Sequence, residues 1–323
     1  MSSDAMFPES LTTLQLQRVG SRASGVRQQN TASRHKLPAA ITRAASKQTY
    51  YTVHFLVDRS RTLNAYRAYA YFRWVDDWLD RKSLVEQARV NFLQRQQALI
   101  DACYRSEHLP DTTREERILV DLLASEPTHE SGLHAYIRHM MAVMTFDTQR
   151  RGRLITASEL DQYSYHLAAA VTEALHYFIG HDRYSPQGDE RYLAATGAHI
   201  AHMLRDTSED IDAGYYNVPR ELLQQHDIAP SSVESVPYRE WVKSRVELAR
   251  ADFDAGRRYL AQVESLRCRI AGSAYIERFT GVLDASEREG FVLRASYPER
   301  KSLKSGAKLG LSVLWQSLRS ARA

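Results

Sequence analysis

The sequence is poor in the residues that build cross-linked or loop-rich folds. Its two cysteines, Cys103 and Cys268, stand far apart and neither belongs to a C-x-x-C pair, so no disulfide framework is available. Only 14 glycines and 9 prolines occur in 323 residues, too few for a β-sandwich with its many turns or for a glycine-fingered nucleotide fold. No run approaches the roughly 20 apolar residues of a membrane-spanning helix, and the amino terminus lacks the apolar stretch of a secretory signal. What remains is an all-α chain built of long helices, expected in the cytoplasm.

Acidic residues are also scarce at one end. Residues 1–49 hold seven of the 43 Lys and Arg but only two of the 39 Asp and Glu, Asp4 and Glu9, so the rest of the chain is balanced to within one charge. A nucleic-acid partner calls for a basic patch on the fold itself, and none is expected here. Residues 1–45, rich in Ser, Thr, Arg and Gln, read as a disordered basic arm, with an organelle transit peptide as the other reading. Residues 46–323 read as one all-α domain.

Helical periodicity covers about 46–57, 60–82, 84–105, 113–125, 132–147, 157–180, 188–211, 237–264, 267–289 and 301–319. Breakers such as Ser185-Pro186-Gln187-Gly188 and Asn217-Val218-Pro219 fall between them. The last stretch, Lys308–Arg319, reads either as a final core helix or as an amphipathic surface for peripheral membrane contact.

Two acidic motifs lie on these helices. In the first, Tyr69, Arg73, Asp76 and Asp80 follow one another at spacings of 4, 3 and 4, which puts them on one stripe. In the second, His199, His202, Asp206 and Asp210 line up at 3, 4 and 4. Like charges one turn apart destabilise a helix, so something must offset them. Either cluster alone reads as a solvated helix end. Two matched clusters amid apolar residues read instead as opposed carboxylates holding Mg²⁺, whose octahedron diphosphate oxygens and water would complete. The segment Tyr163–Thr172 supplies alanines and tyrosines that leave room for a hydrocarbon, and Tyr66, Tyr69, Tyr71 and Phe72 supply aromatic faces that could stabilise a carbocation or simply pack the core.

With these segments in this order, the chain from Lys47 to Lys308 resembles the squalene/phytoene synthase family of head-to-head isoprenoid synthases. The strongest segments are Tyr69–Asp80, Tyr163–Thr172 and Leu204–Pro219. The resemblance implies a single-domain isoprenoid-synthase helical bundle around a central cavity. It implies a transferase that ionises one allylic prenyl diphosphate, farnesyl or geranylgeranyl, and joins it to a second through a cyclopropyl intermediate. Mg²⁺, or Mn²⁺ in its place, is implied between the motifs, and NADPH only where a reductive squalene-type step follows. Carried over residue by residue, Asp76, Asp80, Asp206 and Asp210 would hold metal, Arg73 and Arg205 would steady diphosphate, and Tyr69 and Tyr163 would stand at the reaction centre.

Several positions depart from the family's pattern. His199 and His202 stand where Gln and Asn are usual, which makes His202 a candidate nitrogen ligand better suited to later metals than Mg²⁺. Ala169 and Thr172 replace glycines. After the second motif, Gly214-Tyr215-Tyr216-Asn217-Val218-Pro219 lacks the usual Arg and Tyr, and Phe279 takes the place of a late Tyr. These departures leave open a single-substrate cyclase or lyase, and a catalytically silent member that binds lipid or assists an assembly. His199 and His202 with Glu173-x-x-His176 also permit a di-iron reading, though a second Glu-x-x-His inside a helix is missing. Oligomeric state is not legible.

Overall fold

Helical periodicity becomes helix along nearly the whole body, and no strand occurs among the described residues. The computed structural model describes residues 36–295 and 297, apart from 82, 109, 110, 127, 129 and 182. In order these are α1 (36–45), α2 (Lys47–Leu56), α3 (Thr62–Leu79), α4 (Glu86–Tyr104), α5 (Glu116–Leu123), α6 (Gly132–Arg150), α7 (Ala157–Ile179), α8 (Glu190–Ala213), α9 (Arg220–His226), α10 (Val236–Gln262) and α11 (Leu266–Arg288). The central helix α8 packs on α7, α10 and α11; α6 lies against α7, and α3 joins α2, α5 and α6. One buried apolar core runs through them, from Val53 of α2 to Leu283 of α11.

Local signals set the ends of these helices. Ser46, Ser131 and Ser265 each accept a hydrogen bond from the backbone three residues on, starting α2, α6 and α11. Thr156 and Glu159 form a reciprocal capping box that fixes the start of α7, and with it the register of Tyr163 two turns in.

Two stretches differ from expectation. Residues 36–45, assigned by sequence to the arm, are helical, with Thr42 fully buried and Leu37, Ala39 and Ile41 packed on the core. Three apolar residues interrupted by Pro38 are too short a pattern to read as a helix. Helix α9, seven residues that follow the N-cap Pro219, is too short to show a period. The expected helix 301–319, the Lys308–Arg319 surface and residues 1–35 lie outside the described residues.

Close backbone approach holds α8 against α10. A Cβ on Gly256 would lie 2.6 Å from the Ala194 Cβ and 2.9 Å from its backbone nitrogen, and one on Gly197 would lie 2.8 Å from the Ala249 carbonyl oxygen. Gly256→Ala gains up to about 1 kcal/mol in helix propensity but must push two backbones apart. The clash should win, with a net loss of about 1–3 kcal/mol in urea denaturation.

Candidate active site

Three aspartates at the end of α3 would sit badly with the negative end of the helix dipole. Arg89 of α4 offsets this, its Nε donating to the Leu79 carbonyl at 2.8 Å and its Nη2 to that of Arg81 at 3.0 Å. Trp78 stacks on Phe92 with ring centroids 3.9 Å apart, clamping the same turn to α4. Arg73 turns along its own helix to Asp76, at 3.3 Å, and to Asp77.

The end of α3 thus held faces α8 across a cavity of about 180 Å³. Asp76, Asp80, Asp206 and Asp210 all line it, as do Tyr163, His199 and His202. Tyr69, Arg73 and Arg205 do not. Tyr69 lies partly buried further up α3, and Arg205 stands behind Asp206 with its fork closed on that carboxylate at 2.5 Å to each oxygen.

The two motifs differ electrostatically. Burial, then the charge of Asp80, pushes Asp76 up to about 6; burial, then Asp206, does the same to Asp210. Burial acts on Asp206 as well, but the Arg205 fork and His202, whose Nε2 lies 3.0 Å away, outweigh it and hold that carboxyl well below the ordinary range. His202 is therefore a partner of Asp206, and half-exposed. His199 is buried, lowered to about 3 by burial and by the proximity of His202 and Arg150, and neither ring nitrogen has a hydrogen-bond partner.

Sequence reasoning missed three charged residues of the cavity wall, Asp147, Arg150 and Arg151; Tyr215 and Asn217, read in sequence as departures from the family's pattern, line it too. The signal was present in Asp147-x-x-Arg150, but the expected helix stopped at 147, whereas α6 runs one turn further. That turn brings Arg150 inward. Its Nε donates to Asp147 and its Nη1 to Asn217, both at 2.6 Å; Asn217 donates to Asp210 at 2.7 Å, and the Tyr163 hydroxyl donates to Asp147 at 3.2 Å. The guanidinium lies 4.5 Å from the Tyr163 ring and 5.0 Å from that of Tyr215.

The turns after α6 and α8 meet here. Gly152 donates to the Gly214 carbonyl at 2.7 Å, and both have positive φ, 74° and 86°, which favours glycine at each. This contact sets Arg151 beside Tyr215, and Arg151 Nη1 is buried without a hydrogen-bond partner. Arg151, the C-cap of α6, thus brings a guanidinium beside the turn after Gly214, whose own sequence has none. Phe279 packs against His202 and Arg205, with a phenol one turn earlier at Tyr275.

Five carboxylates and three guanidiniums line the cavity, and Arg73 and Arg205 pair from outside it with Asp76 and Asp206, so its walls are rich in hard oxygen donors. Among the described residues no three His, Cys, Asp or Glu converge as a protein-only metal site. Mg²⁺ does not require one, since it is commonly held by one or two carboxylates and completed by substrate phosphate. The donors fit Mg²⁺ shared with a diphosphate, and the orphaned Arg151 Nη1 fits the anion. A di-iron site does not fit: Glu173 pairs with Arg191 and Tyr192, and with His176 it lines a different cavity from His199 and His202.

The squalene/phytoene synthase family model matches residues 42–304. The chain belongs to that family. Solved structures similar to it include a squalene synthase from Alicyclobacillus acidocaldarius, at 21% identity and a TM-score of 0.65, covering 81% of this chain and 96% of that one. A dehydrosqualene synthase in complex with ligand matches at 17% identity and a TM-score of 0.65, covering 90% and 99%. At these identities the likeness speaks for the isoprenoid-synthase helical fold. No curated protein sequence matches the chain. Membership supports prenyl diphosphate condensation and isoprenoid biosynthesis at the level of the family.

Proposed function

We propose that the chain joins two allylic prenyl diphosphates, farnesyl or geranylgeranyl, head to head through a cyclopropyl intermediate to a squalene- or phytoene-type product. The observation that carries this reading is the single cavity in which α3, α6 and α8 oppose five carboxylates beside the unpartnered Arg151 Nη1. Asp76 and Asp80 on one wall and Asp210 on the other would hold Mg²⁺, which supplies charge neutralisation for the leaving diphosphate. Arg151 and the neutral His199 would bind diphosphate oxygens. The ring of Tyr163 flanks the site of ionisation, its hydroxyl held by Asp147. Tyr163 also lines a larger cavity of about 650 Å³, in which Ile100, Ile137, Met141 and Phe146 offer a hydrocarbon chain apolar contact among polar residues such as Gln97, Arg138 and Gln162.

A second reading, ionisation of a single substrate by a cyclase or lyase, draws on the second motif. Asp206 is already engaged by Arg205 and by the imidazole of His202. Incubation with farnesyl or geranylgeranyl diphosphate and Mg²⁺ or Mn²⁺, with and without NADPH, separates the two, since coupling doubles the carbon count seen by gas chromatography. Absence of diphosphate release under all conditions would favour a silent, lipid-binding member.

The pH dependence has a definite sign. Metal must meet ionised carboxylates, and Asp76 and Asp210 lose their protons only near 6. Titration calorimetry with Mg²⁺ and inorganic diphosphate should show affinity rising with pH through about 6 and levelling above it. A flat profile between about pH 5 and 8 would remove these two from the metal site.

A further inference from the structure

Helix α2 carries an aromatic surface that the core does not use. Its inner face is built on Val53, with Tyr50 stacked on Tyr66 of α3 at 5.4 Å. Its outer face carries Lys47, Tyr51, His54 and Phe55, all exposed, at helical spacings that form one stripe. Phe55 is 69% exposed and Tyr51 49%, and their rings stack at 6.1 Å. The surface is continuous: Arg43 of α1 lies over Tyr50 at 5.6 Å, Tyr50 meets Tyr51 edge-on, and His54 meets Phe55 edge-on at 4.8 Å.

Along the chain, the charge that accompanies this patch is of one sign. Lys36, Arg43, Lys47 and Arg59 are exposed, while no Asp or Glu occurs from residue 10 to residue 57. The first acid, Asp58, is paired with Arg267. Nucleic acid and a second copy of this chain are the competing occupants. Single-stranded nucleic acid is bound in grooves that track its backbone, whereas these rings lie on the outer, convex face of a helix. A second copy would set cation against cation. Exposed aromatic rings accompanied by lysine and arginine match the interfacial zone of an anionic bilayer, where apolar side chains enter the acyl boundary and cations meet lipid headgroups.

We infer that α1 and the outer face of α2 form a peripheral docking surface for anionic membranes. This surface is separate from the aspartate cavity: Tyr66, against which α2 packs, precedes Asp76 on α3 by ten residues, about 15 Å along the axis.

Co-sedimentation of the full chain with vesicles tests this, using phosphatidylcholine alone and mixtures with phosphatidylglycerol. Binding should require phosphatidylglycerol and weaken with salt. Tyr51→Ser/Phe55→Ser keeps every charge and removes only exposed rings, so it should leave the melting temperature unchanged and lower partitioning roughly tenfold or more. Lys47→Glu should lower it about fivefold or more. Residues 1–35 bring positive charge of their own, which is why the charge-neutral double variant decides. Failure of the wild type to sediment, or equal sedimentation of the double variant, would overturn the inference. So would a change of oligomeric state in that variant with vesicle binding intact, or the same residue dependence for single-stranded RNA without vesicle binding.

Discussion

Arg150→Met should lower stability by about 3 kcal/mol, measured by urea denaturation at pH 8. The guanidinium is 5% exposed and holds Asp147 and Asn217 by hydrogen bonds, with the rings of Tyr163 and Tyr215 against it. Methionine fills much of the same volume, so the loss comes from charge left behind rather than from a void. Asp147, already raised by burial with only Arg150 and Tyr163 opposing, would rise further. A carboxyl whose folded pKa lies above its unfolded value contributes stability below the unfolded value that is lost as pH rises through the folded one. The penalty should therefore be largest at pH 8 and shrink toward pH 5. Arg150→Met/Asp147→Leu should recover most of it, because replacing a buried pair whole is far milder than breaking it. A penalty that is the same at both pH values would show that Arg150 acts through packing alone.

The same residue shows why part of the site was legible in sequence and part was not. Asp76, Asp80, Asp206 and Asp210 announced themselves because each motif repeats a charge at helical spacing, and such a stripe is a local property. Their convergence on one cavity is what two opposed stripes permit. Arg150 and Arg151 gave no comparable signal. Their roles depend on the last turn of α6 meeting the turn after α8 through the Gly152–Gly214 contact, between residues far apart in the chain. Conversely, Arg73 and Arg205 looked free in sequence, and both are spent on adjacent aspartates. Spacing says which residues share a face, but not which partner each charge takes. The helices themselves were readable because their amphipathic patterns repeat, while α1 offers only three apolar residues interrupted by Pro38 and the seven residues of α9 are too short to carry a period.

Asp80→Asn should reduce turnover on the order of 10²–10³-fold, with the melting temperature unchanged or slightly raised. Asp80 caps α3 through its backbone and has an exposed side chain, so an isosteric amide removes little packing. What it removes is one of the negative charges that face each other across the cavity, and these raise Asp76 in the resting protein. The counter-charges on that wall are already engaged, Arg73 shared with Asp77 and Arg89 bonded to backbone carbonyls, which leaves these carboxylates to the proposed metal. The substitution therefore separates two roles that a stability screen confuses. Lost activity with a stable fold, weaker Mg²⁺–diphosphate binding by calorimetry, and an Asp76 titration moved below about 6 in carboxyl NMR form one consistent signature. Asp77→Asn is the matched control: it sits three residues away on the same helix, outside the cavity lining, and should retain activity. Full turnover in Asp80→Asn, or equal losses in both variants, would remove the first motif from the metal site and leave the cavity's carboxylates without an assigned use.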